Sequence, residues 1–428
     1  MTQQQLPSKR SHLKGMIQVP GDKSISHRAI MLGSMARGTS KVRHLLMADD
    51  VQSTMQVYRQ LGVTIETSGE DTVIVSPGVA HLRAPDQPLD FGNSGTTLRL
   101  SLGVLAKQPF HIDMIGDASL QKRPMGRVLK PLEKMGLRPV TPATGLPIQL
   151  APNQTLHGIT YTLPVASAQV KSALILAGLQ ADQMTRITEP IATRDHTERM
   201  LTTFGVTLKR QDNTLLVPAA QSLSPADVTV PGDFSSAAFW LVAGVLVPDS
   251  QLALSEIGLN PTRTGLIQLL KRMGADIPVQ MHQTSGEPIG DVLVQTQSLR
   301  GIDVTKNDIP AVIDELPLLV LAATQAEGVT TITGAEELRV KETDRIDAVT
   351  TELNRLGAQV TALPDGFSIN GPTPLHVAEP TVVRSHGDHR IGMMLAIAAL
   401  LTEGALTLDG AESVAISYPT FFNDLAQL

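Results

Sequence analysis

Positively charged residues recur where helices are predicted to begin, a place that does not favour them. A helix N-terminus carries a partial positive charge and prefers acidic side chains. Eight cations occupy such positions here: Lys23, Arg28, Arg123, Lys171, Arg194, Lys341, Arg345 and Arg390. Because departures from local preference concentrate at functional sites, this pattern predicts that the chain binds an anion.

Two loops of small residues are typical of the same kind of site. FGNSGTTLR (91–99) and VASAQVK (165–171) each run into a predicted helix. The backbone N–H groups of such loops can bind phosphate or carboxylate oxygens. Neither loop matches GxxxxGK[ST] or GxGxxG, so the pattern predicts an anion that is not recognisably a nucleotide.

The number of charges indicates what kind of anion. Two carboxylates, Asp314 and Glu342, lie near the later cations in the sequence. If all these groups converged, about six positive charges would remain, whereas one phosphate carries about −1.5 to −2. We therefore expect two small substrates, each with a phosphate and a carboxylate.

Each motif also has a purely structural interpretation. Lys23 and Arg28 could be solvated surface charges, and NSGTT could be a plain capping loop. KETDR (341–345) could be an ion-paired helix start, with Asp314 an ordinary N-cap. His386 and His389 have no third ligand at a useful spacing, so neither a metal nor a cofactor is predicted.

The bulk composition excludes several classes of protein. The chain has 428 residues, a net charge of −6 and no cysteine. The negative charge argues against general nucleic-acid binding, and the missing cysteine excludes disulfides, thiolate metal sites and a cysteine nucleophile. Residues 1–15 contain no apolar signal region, and the longest apolar runs are too short to span a bilayer. We expect a cytoplasmic protein with no membrane contact.

A repeated unit of about 71 residues predicts the architecture. Amphipathic helical segments end at glycines that suit a left-handed cap, and a second series of apolar helices starts between them. The glycines are 62, 136, 205, 274 and 357, and the apolar helices start near Ser24, Thr96, Val170, Ser235, Glu315 and Arg390. Each unit should therefore carry two helices and several strands.

The tetrapeptide VPGD occurs at 19–22 and again at 230–233, near matching positions of this duplication. Proline and glycine suit the end of an extended segment, and aspartate suits the start of a helix. We interpret both as crossings between domains, with hinges near 19–22 and 229–233. One domain would be 1–20 plus 231–428, and the other 21–230. The N-terminal LKGMIQV could supply the strand that the last helix, FFNDLAQL, lacks after it.

Eight motifs resemble those of the 3-phosphoshikimate 1-carboxyvinyltransferase, or 5-enolpyruvylshikimate-3-phosphate (EPSP) synthase, family. In order, they are GDKSISHRA, GNSGTTLR, KRPMGR, SAQVKSALILAGL, RDHTERML, DELPLLVLAA, RVKETDRI and GDHRIGMM. The resemblance implies an α/β (α+β) fold of two similar domains. Each would have three βαβαββ units in an inside-out α/β barrel, with the active site in the interdomain cleft.

The resemblance also implies a reaction and its substrates. The 5-hydroxyl of shikimate 3-phosphate attacks C2 of phosphoenolpyruvate, C3 is protonated, and phosphate leaves from a tetrahedral intermediate. The product, 5-enolpyruvylshikimate 3-phosphate, leads to chorismate and the aromatic amino acids. No cofactor, metal, nucleic acid or membrane takes part, and a monomer is expected.

The matching motifs imply the site residues. The residues expected to bind shikimate 3-phosphate are Lys23, Ser24, Arg28, Ser167, Gln169, Arg194, Asp314 and Lys341. Those expected to bind phosphoenolpyruvate are Lys23, Gly95, Arg123, Gln169, Arg345 and Arg390. Asp314 would be the base near the attacked hydroxyl and Glu342 the proton donor to C3, with Lys23 and Lys341 beside the reacting groups. The division of roles between the two acids stays open.

Departures from one branch of the family place the chain nearer the second. That branch has Arg-Pro after the GT loop and a lysine before a C-terminal aromatic-proline pair. Here Arg99-Leu100 and Ile416 occupy those places. The contact to phosphoenolpyruvate made by that lysine is expected to be missing or replaced.

Two other functions are compatible with parts of this pattern. UDP-N-acetylglucosamine 1-carboxyvinyltransferase shares the fold and phosphoenolpyruvate, but it commonly uses a cysteine acid that this chain lacks. A non-catalytic protein that binds phosphorylated ligands is the alternative from another class. It would have no reason to hold Asp314 and Glu342 among cations.

Overall fold

The computed structural model describes residues 2–141, 144–283 and 286–428. The chain divides into two units, each with its own hydrophobic core. The terminal unit consists of Met1–Pro20 and Pro231–Leu428, and the central unit consists of Gly21–Val230. The residues around 19–22 and 229–233 stay predicted hinges.

Two kinds of helix alternate along the chain. One kind is apolar and almost wholly buried: α1 (Lys23–Met35), α3 (Gly95–Val104), α6 (Ala168–Gly178), α8 (Phe234–Leu246), α10 (Leu316–Thr324) and α12 (His389–Ala399). Each begins within two residues of its predicted start, so these predictions are confirmed. The others are α2 (Asp49–Gln60), α4 (Ala118–Gln121), α5 (Gly126–Met135), α7 (His196–Thr203), α9 (Gly265–Arg272), α11 (Arg345–Arg355) and α13 (Phe421–Gln427).

The five predicted glycine caps are confirmed. Gly62, Gly136, Gly205, Gly274 and Gly357 follow α2, α5, α7, α9 and α11, and all have φ between 86° and 110°. A side chain with a Cβ is strained at such a φ, so glycine ends each helix at low cost.

The strands are short. In chain order they are β1 (Gln3–Gln5), β2 (Lys14–Ile17), β3 (Arg37–Arg43), β4 (Thr64–Ser68), β5 (Asp71–Pro77), β6 (Leu89–Asp90), β7 (Ile112–Ile115), β8 (Ile148–Leu150), β9 (Thr160–Thr162), β10 (Thr185–Thr188), β11 (Lys209–Gln211), β12 (Thr214–Val217), β13 (Asp227–Thr229), β14 (Gln251–Gly258), β15 (Val279–Gln283), β16 (Ile289–Gln295), β17 (Asp303–Val304), β18 (Gly328–Ile332), β19 (Gln359–Leu363), β20 (Gly366–Gly371), β21 (Thr381–Arg384) and β22 (Leu406–Asp409).

The sheets share one pairing pattern, in which a parallel pair is extended by antiparallel strands. The central unit has the strand orders β13-β3-β5-β4, β6-β7-β8 and β9-β10-β12-β11. The terminal unit has β2-β14-β16-β15, β17-β18-β20-β19 and β21-β22-β1. Along the chain, β9, α6, β10, α7, β11 and β12 follow one another in the predicted βαβαββ order.

The N-terminal segment contributes to two sheets of the terminal unit. β1 pairs antiparallel with β22, with Gln3 opposite Asp409, and thereby extends the last sheet. β2 pairs in parallel with β14 in a different sheet. The expectation that LKGMIQV supplies the strand after the last helix was therefore wrong. Strand β2, which lies in LKGMIQV, is the parallel partner of β14, and the earlier strand β1 extends the last sheet instead.

Both VPGD segments join a strand of one unit to a helix of the other. β2 precedes the first and α1 follows it, while β13 precedes the second and α8 follows it. The two aspartates cap those helices: Asp22 accepts a hydrogen bond from the Ile25 N–H at 2.8 Å, and Asp233 accepts one from the Ser235 N–H at 2.7 Å. The repeated tetrapeptide therefore combines a chain crossing with a helix cap.

Candidate active site

Lys23 is the first residue of α1 in the central unit. Its Nζ lies 2.5 Å from Oδ2 of Asp50, which belongs to the first turn of α2. Burial by itself would raise the pKa of Asp50, but the charge and hydrogen bond of Lys23 lower it. A carboxylate on a neighbouring helix therefore orients Lys23, and no local sequence signal predicted this pair.

Arg28 lies on α1 and is almost fully buried. Its Nε donates to Oγ1 of Thr197 at 2.7 Å, and its Nη2 donates to Oγ of Ser172 at 2.9 Å. Its Nη1 donates to the carbonyl of Ser24 at 2.9 Å. Ser24, Ser172 and Thr197 lie near the beginnings of α1, α6 and α7, so hydrogen bonds to three helices hold this guanidinium in place. The purely structural interpretation of Arg28 as a solvated surface charge is therefore wrong.

The beginning of α3 lies between two guanidinium groups. A Cβ added at Gly95, the first residue of this helix, would lie 3.1 Å from Nη1 of Arg99 and 3.2 Å from Nη1 of Arg123. Burial, together with the charges of Arg123 and Arg127, lowers the pKa of Arg99 to about 10. This concentration of positive charge is suited to an anion.

Hydrogen bonds hold both guanidinium groups at this place. Arg99 Nη1 donates to Oε1 of Gln169 at 2.6 Å, and Gln169 Nε2 donates to Oγ1 of Thr96 at 3.0 Å. Arg123 Nη2 donates to Oδ1 of Asn93 at 2.6 Å. The predicted residues Gly95, Arg123 and Gln169 are thus brought together, and Arg99 joins them. In the sequence analysis, Arg99 served only to distinguish between two branches of the family and was not predicted to belong to the site.

The remaining predicted residues of the central unit lie at the beginnings of α6 and α7. Ser167 caps α6, with its Oγ accepting from the Val170 N–H at 3.4 Å. Arg194 is half-buried and directly precedes Asp195, the N-cap residue of α7. Ser24 lies near both helices through the contacts of Arg28.

Lys171 is one of the eight cations that were predicted to serve an anion site. Its side chain is fully buried, with Nζ 3.0 Å from Oε1 of Glu189 and 2.7 Å from Oε1 of Glu198. Burial raises the pKa of Glu198. At Glu189 burial acts in the same direction, but the charge of Lys171 and the hydrogen bonds from Thr193, Arg210 and Lys171 together lower the pKa. Counting Lys171 among the cations available to a ligand was therefore wrong, because Glu189 and Glu198 pair with its ammonium group.

In the terminal unit, Asp314 is surrounded by three cations. Its carboxylate lies 3.6 Å from Nζ of Lys341, 3.5 Å from Nη1 of Arg345 and 3.8 Å from Nη2 of Arg390. Arg390 also donates to the Asp314 carbonyl at 3.1 Å. The predicted residues of this unit therefore form one cluster around a single carboxylate, which is more than an N-cap requires.

Arg345 and Glu342 form the second half of this cluster. Arg345 is fully buried, and its Nη2 donates to Oε2 of Glu342 at 2.8 Å. Its Nε donates to Oδ2 of Asp388 at 2.8 Å. Burial alone would raise the pKa of Glu342, but the charges of Arg345 and His389 lower it to about 2. The carboxylates around Arg345, in turn, raise its own pKa despite burial.

Glu315 connects Arg390 to the N-terminal end of α8. Its buried carboxylate accepts a hydrogen bond from Ser235 Oγ and lies 3.5 Å from Nη1 of Arg390. Ser235 in turn accepts from Nη2 of Arg263 at 2.5 Å. Neither Glu315 nor Arg263 was predicted to support the site.

The residues that the sequence missed share one property: their role depends on a partner far away in the chain. Asp50 looks like an ordinary first-turn acid, and Asp388 like an N-cap, which it also is, because it accepts from the Arg390 N–H at 2.8 Å. Within the described residues, no group of three or more His, Cys, Asp or Glu side chains could hold a metal ion. No helix in the described part of the chain is long and apolar enough to cross a membrane.

A family model described as EPSP synthase (3-phosphoshikimate 1-carboxyvinyltransferase) matches residues 7–425. The chain belongs to the EPSP synthase family. A 3-phosphoshikimate 1-carboxyvinyltransferase of Geobacillus kaustophilus is 52% identical to it over 99% of this chain and 100% of that protein. The predicted family is therefore confirmed.

Solved structures give the fold of this EPSP synthase. One EPSP synthase from Acinetobacter baumannii has 43% sequence identity, covers 99% of this chain and 97% of its own, and gives a TM-score of 0.90. The enolpyruvyl transferase NikO from Streptomyces tendae, at 20% identity, covers 99% of this chain and 96% of its own, with a TM-score of 0.80. That second likeness concerns the fold alone, and together they confirm the predicted enolpyruvyl transferase fold.

The activity of the chain follows from its family. It is a 3-phosphoshikimate 1-carboxyvinyltransferase, which transfers the enolpyruvyl group of phosphoenolpyruvate to shikimate 3-phosphate in the shikimate pathway.

Proposed function

We propose that the cluster around Asp314 and the cations of the central unit act together on shikimate 3-phosphate and phosphoenolpyruvate. The single observation that supports this most strongly is the position of the Asp314 carboxylate within 4 Å of Lys341, Arg345 and Arg390. Three cations that the family motifs imply thus meet at the proposed base, and Glu342, Asp388 and Glu315 hold two of them in place.

Phosphoenolpyruvate is bound mainly by arginine guanidinium groups and by the ammonium group of one lysine. Arg123, Arg345 and Arg390 pair with its carboxylate and phosphate, since a planar guanidinium matches both groups with two hydrogen bonds. Lys23 contacts the same substrate, Gln169 contributes its amide, and the backbone of Gly95 approaches closely because it lacks a Cβ. The position of Gly95 between two guanidinium groups supports this role.

Shikimate 3-phosphate is bound mainly by groups at the beginnings of α1, α6 and α7. Lys23, Ser24 and Arg28 come from α1, while Ser167 caps α6 and Gln169 belongs to it. Arg194 directly precedes Asp195, the N-cap residue of α7. Arg194 contacts the 3-phosphate. Helix N-termini are suited to this task, because their N–H groups and partial positive charge favour a phosphate. Asp314 and Lys341 contact the hydroxyl end of the ring.

The reaction proceeds by addition and elimination. Asp314 accepts the proton of the 5-hydroxyl while the hydroxyl oxygen forms a bond to C2 of phosphoenolpyruvate. Glu342 protonates C3 in the same step. Lys341 and Lys23 stabilise the negative charge on the oxygens around C2 in the tetrahedral intermediate. The Glu342 carboxylate then accepts a proton from C3 while the C2–O bond to phosphate breaks, which restores the double bond and releases phosphate.

Glu342 must carry a proton to act as the acid, yet its pKa in the ligand-free protein is about 2. Arg345 is the main cause of that lowering, and burial opposes it. A substrate carboxylate or phosphate bound at Arg345 would offset its charge and thus raise the pKa of Glu342. The acid is therefore produced by substrate binding.

The acceptor and the base are tested by measuring phosphate release from phosphoenolpyruvate with purified protein. Shikimate 3-phosphate should support release, and UDP-N-acetylglucosamine should not; release with the sugar nucleotide alone would favour the rival transferase. Asp314→Asn should lower kcat by about 10²- to 10⁴-fold, the typical contribution of a general base. Full activity in this variant would contradict the assignment, and tight binding without any phosphate release in the wild type would favour the non-catalytic alternative.

We also propose that the enzyme acts as a monomer in the cytoplasm. One chain supplies every group named above, so no second copy is needed to complete the site. Both substrates carry several negative charges and do not cross membranes unaided, which supports a location where they are made. Sedimentation of a species near 45.7 kDa tests the first part.

A further inference from the structure

A buried charge cluster lies beneath the segment that carries Arg194. Lys171 on α6 contacts Glu189 at the end of β10 and Glu198 on α7, with both Lys171 and Glu189 inaccessible to solvent. Arg210 reaches the other oxygen of Glu189 at 2.6 Å. Two cations therefore balance two carboxylates. These side-chain ion pairs connect α6, α7 and β11.

The same cluster holds the backbone next to Arg194. Lys171 Nζ donates to the carbonyl of Thr193 at 3.4 Å. The Thr193 N–H donates to Oε1 of Glu189 at 3.2 Å, and its hydroxyl donates to the same atom at 2.6 Å. The residue before Arg194 is thus fixed at three polar atoms. On the other side, Asp195 accepts from Nε of Arg199 at 2.9 Å.

Stability alone is a weak explanation for this arrangement. Removing a lysine and carboxylates from water carries a large desolvation penalty, and apolar side chains of similar size often stabilise a protein as well or better. What buried ion pairs can provide is a defined geometry. Here the ion pairs define the position of Arg194, just before α7, relative to Ser167 and Gln169 at the beginning of α6.

We propose that Lys171 is a positioning residue: it fixes segment 189–195 relative to α6, so that Arg194 and the start of α6 bind the 3-phosphate together. It does not itself contact the substrate, because two carboxylates surround its ammonium group. The proposal rests on the proposed role of Arg194. It gives the buried lysine a function in substrate affinity, separate from the chemical step.

Steady-state kinetics of Lys171→Met test this role. We expect the KM for shikimate 3-phosphate to rise about 10- to 100-fold, as for a misplaced binding group. The kcat and the KM for phosphoenolpyruvate at saturating shikimate 3-phosphate should change less than about 3-fold, since neither depends on Arg194. Lys171→Arg should restore part of the affinity, and Lys134→Met on the exposed face of α5 should have no effect.

A second acceptor separates positioning from general damage to the fold. Shikimate lacks the 3-phosphate, so its kcat/KM should be nearly unchanged in Lys171→Met, and the preference for the phosphorylated acceptor should fall. Equal losses with both acceptors would overturn the proposal. If Lys171→Met does not fold, Lys171→Met/Glu198→Gln keeps the buried charge balanced and is measured in its place, with the same outcomes.

A double-mutant cycle with Arg194→Ala distinguishes the two ways of failing. If Lys171 acts through Arg194, adding Lys171→Met to Arg194→Ala should raise the KM for shikimate 3-phosphate by less than about 3-fold further. Full additivity would overturn the role of Lys171. If Arg194→Ala alone leaves this KM unchanged, the proposed role of Arg194 fails instead, and the proposal for Lys171 fails with it.

Discussion

Asp388 accepts a hydrogen bond from Nε of Arg345 at 2.8 Å and a longer one from Nη2 at 3.4 Å, and both side chains are shielded from solvent. Two contacts to one carboxylate fix the plane of the guanidinium. The remaining nitrogen, Nη1, faces Asp314 at 3.5 Å. Asp388 therefore sets the direction of the guanidinium nitrogen that is proposed to bind phosphoenolpyruvate.

Replacing Asp388 should weaken the binding of phosphoenolpyruvate. In Asp388→Asn the cap of α12 is retained, because asparagine is also a good N-cap. The charged pair with Arg345 is lost, so we expect the KM for phosphoenolpyruvate to rise about 10- to 100-fold. Asp308→Asn removes a carboxylate that pairs with Arg272 at 2.9 Å in the same unit and is the matched control. An unchanged KM in a folded Asp388→Asn protein would refute the link.

Gly95→Ala should reduce affinity without reducing stability. The added Cβ would lie 3.1–3.2 Å from two guanidinium nitrogens, so these flexible ends must move by a few tenths of an ångström. Because Arg123 and the backbone of Gly95 are proposed to bind phosphoenolpyruvate, its KM should rise by about 10-fold or more. Gly126→Ala at the start of α5 is the control, since its Cβ would have only Lys130 Cε nearby, at 3.9 Å. Equal kinetics in both variants would count against the placement of phosphoenolpyruvate.

Glu342→Gln should lower kcat by about 10²- to 10⁴-fold, because glutamine cannot donate a proton to C3. Binding of shikimate 3-phosphate, followed by calorimetry, should be retained. A variant with normal turnover would show that another group protonates C3.

The same variant has a signature in the stability of the ligand-free protein. The pKa of Glu342 is lowered from 4.5 to about 2, so its ionised form stabilises the folded state. This stabilisation is complete above pH 4.5 and is lost as the pH falls from there towards 2. The stability difference between wild type and Glu342→Gln, measured by urea unfolding, should shrink across this window. A difference that stays constant would contradict the ion pair with Arg345.

His27 should make the protein less stable in acid. Burial, with the charge of Lys23, lowers its pKa from 6.5 to about 3, so the folded protein keeps it neutral while the unfolded chain binds a proton. The free energy of unfolding should therefore fall as the pH drops below 6.5, by about 1.4 kcal/mol per pH unit from this residue. His27→Gln should lack that slope in urea unfolding between pH 7 and 5. His111→Gln, an exposed histidine of the same unit, should keep the wild-type slope.

Local sequence signals predicted the features that depend on local physics. Glycines such as Gly62 and Gly357 end helices because their φ is unfavourable for other residues, and this requirement is visible in a few neighbouring residues. Cations at helix starts pointed to the cluster around Asp314, because a helix N-terminus is unfavourable for them without an anion. The family motifs then supplied the reaction.

Features that depend on distant partners were not predictable in the same way. Lys171 meets Glu189 and Glu198 only after three elements have packed, so it was counted as a free cation. Asp50 was missed because an acid in the first turn of a helix is ordinary, although here it pairs with Lys23. The register of the N-terminal strands depends on sheet neighbours more than 200 residues away.

The pairing of β1 with β22 and of β2 with β14 has a consequence for synthesis on the ribosome. The central unit is complete once Val230 has emerged, and domains generally fold as units in order of their appearance. Strands β1 and β2 precede the central unit in the chain, but the partner of β2, Gln251–Gly258, and the partner of β1, Leu406–Asp409, both follow it. The segment before the central unit therefore stays unpaired while that unit folds during translation, and the terminal unit is completed after it.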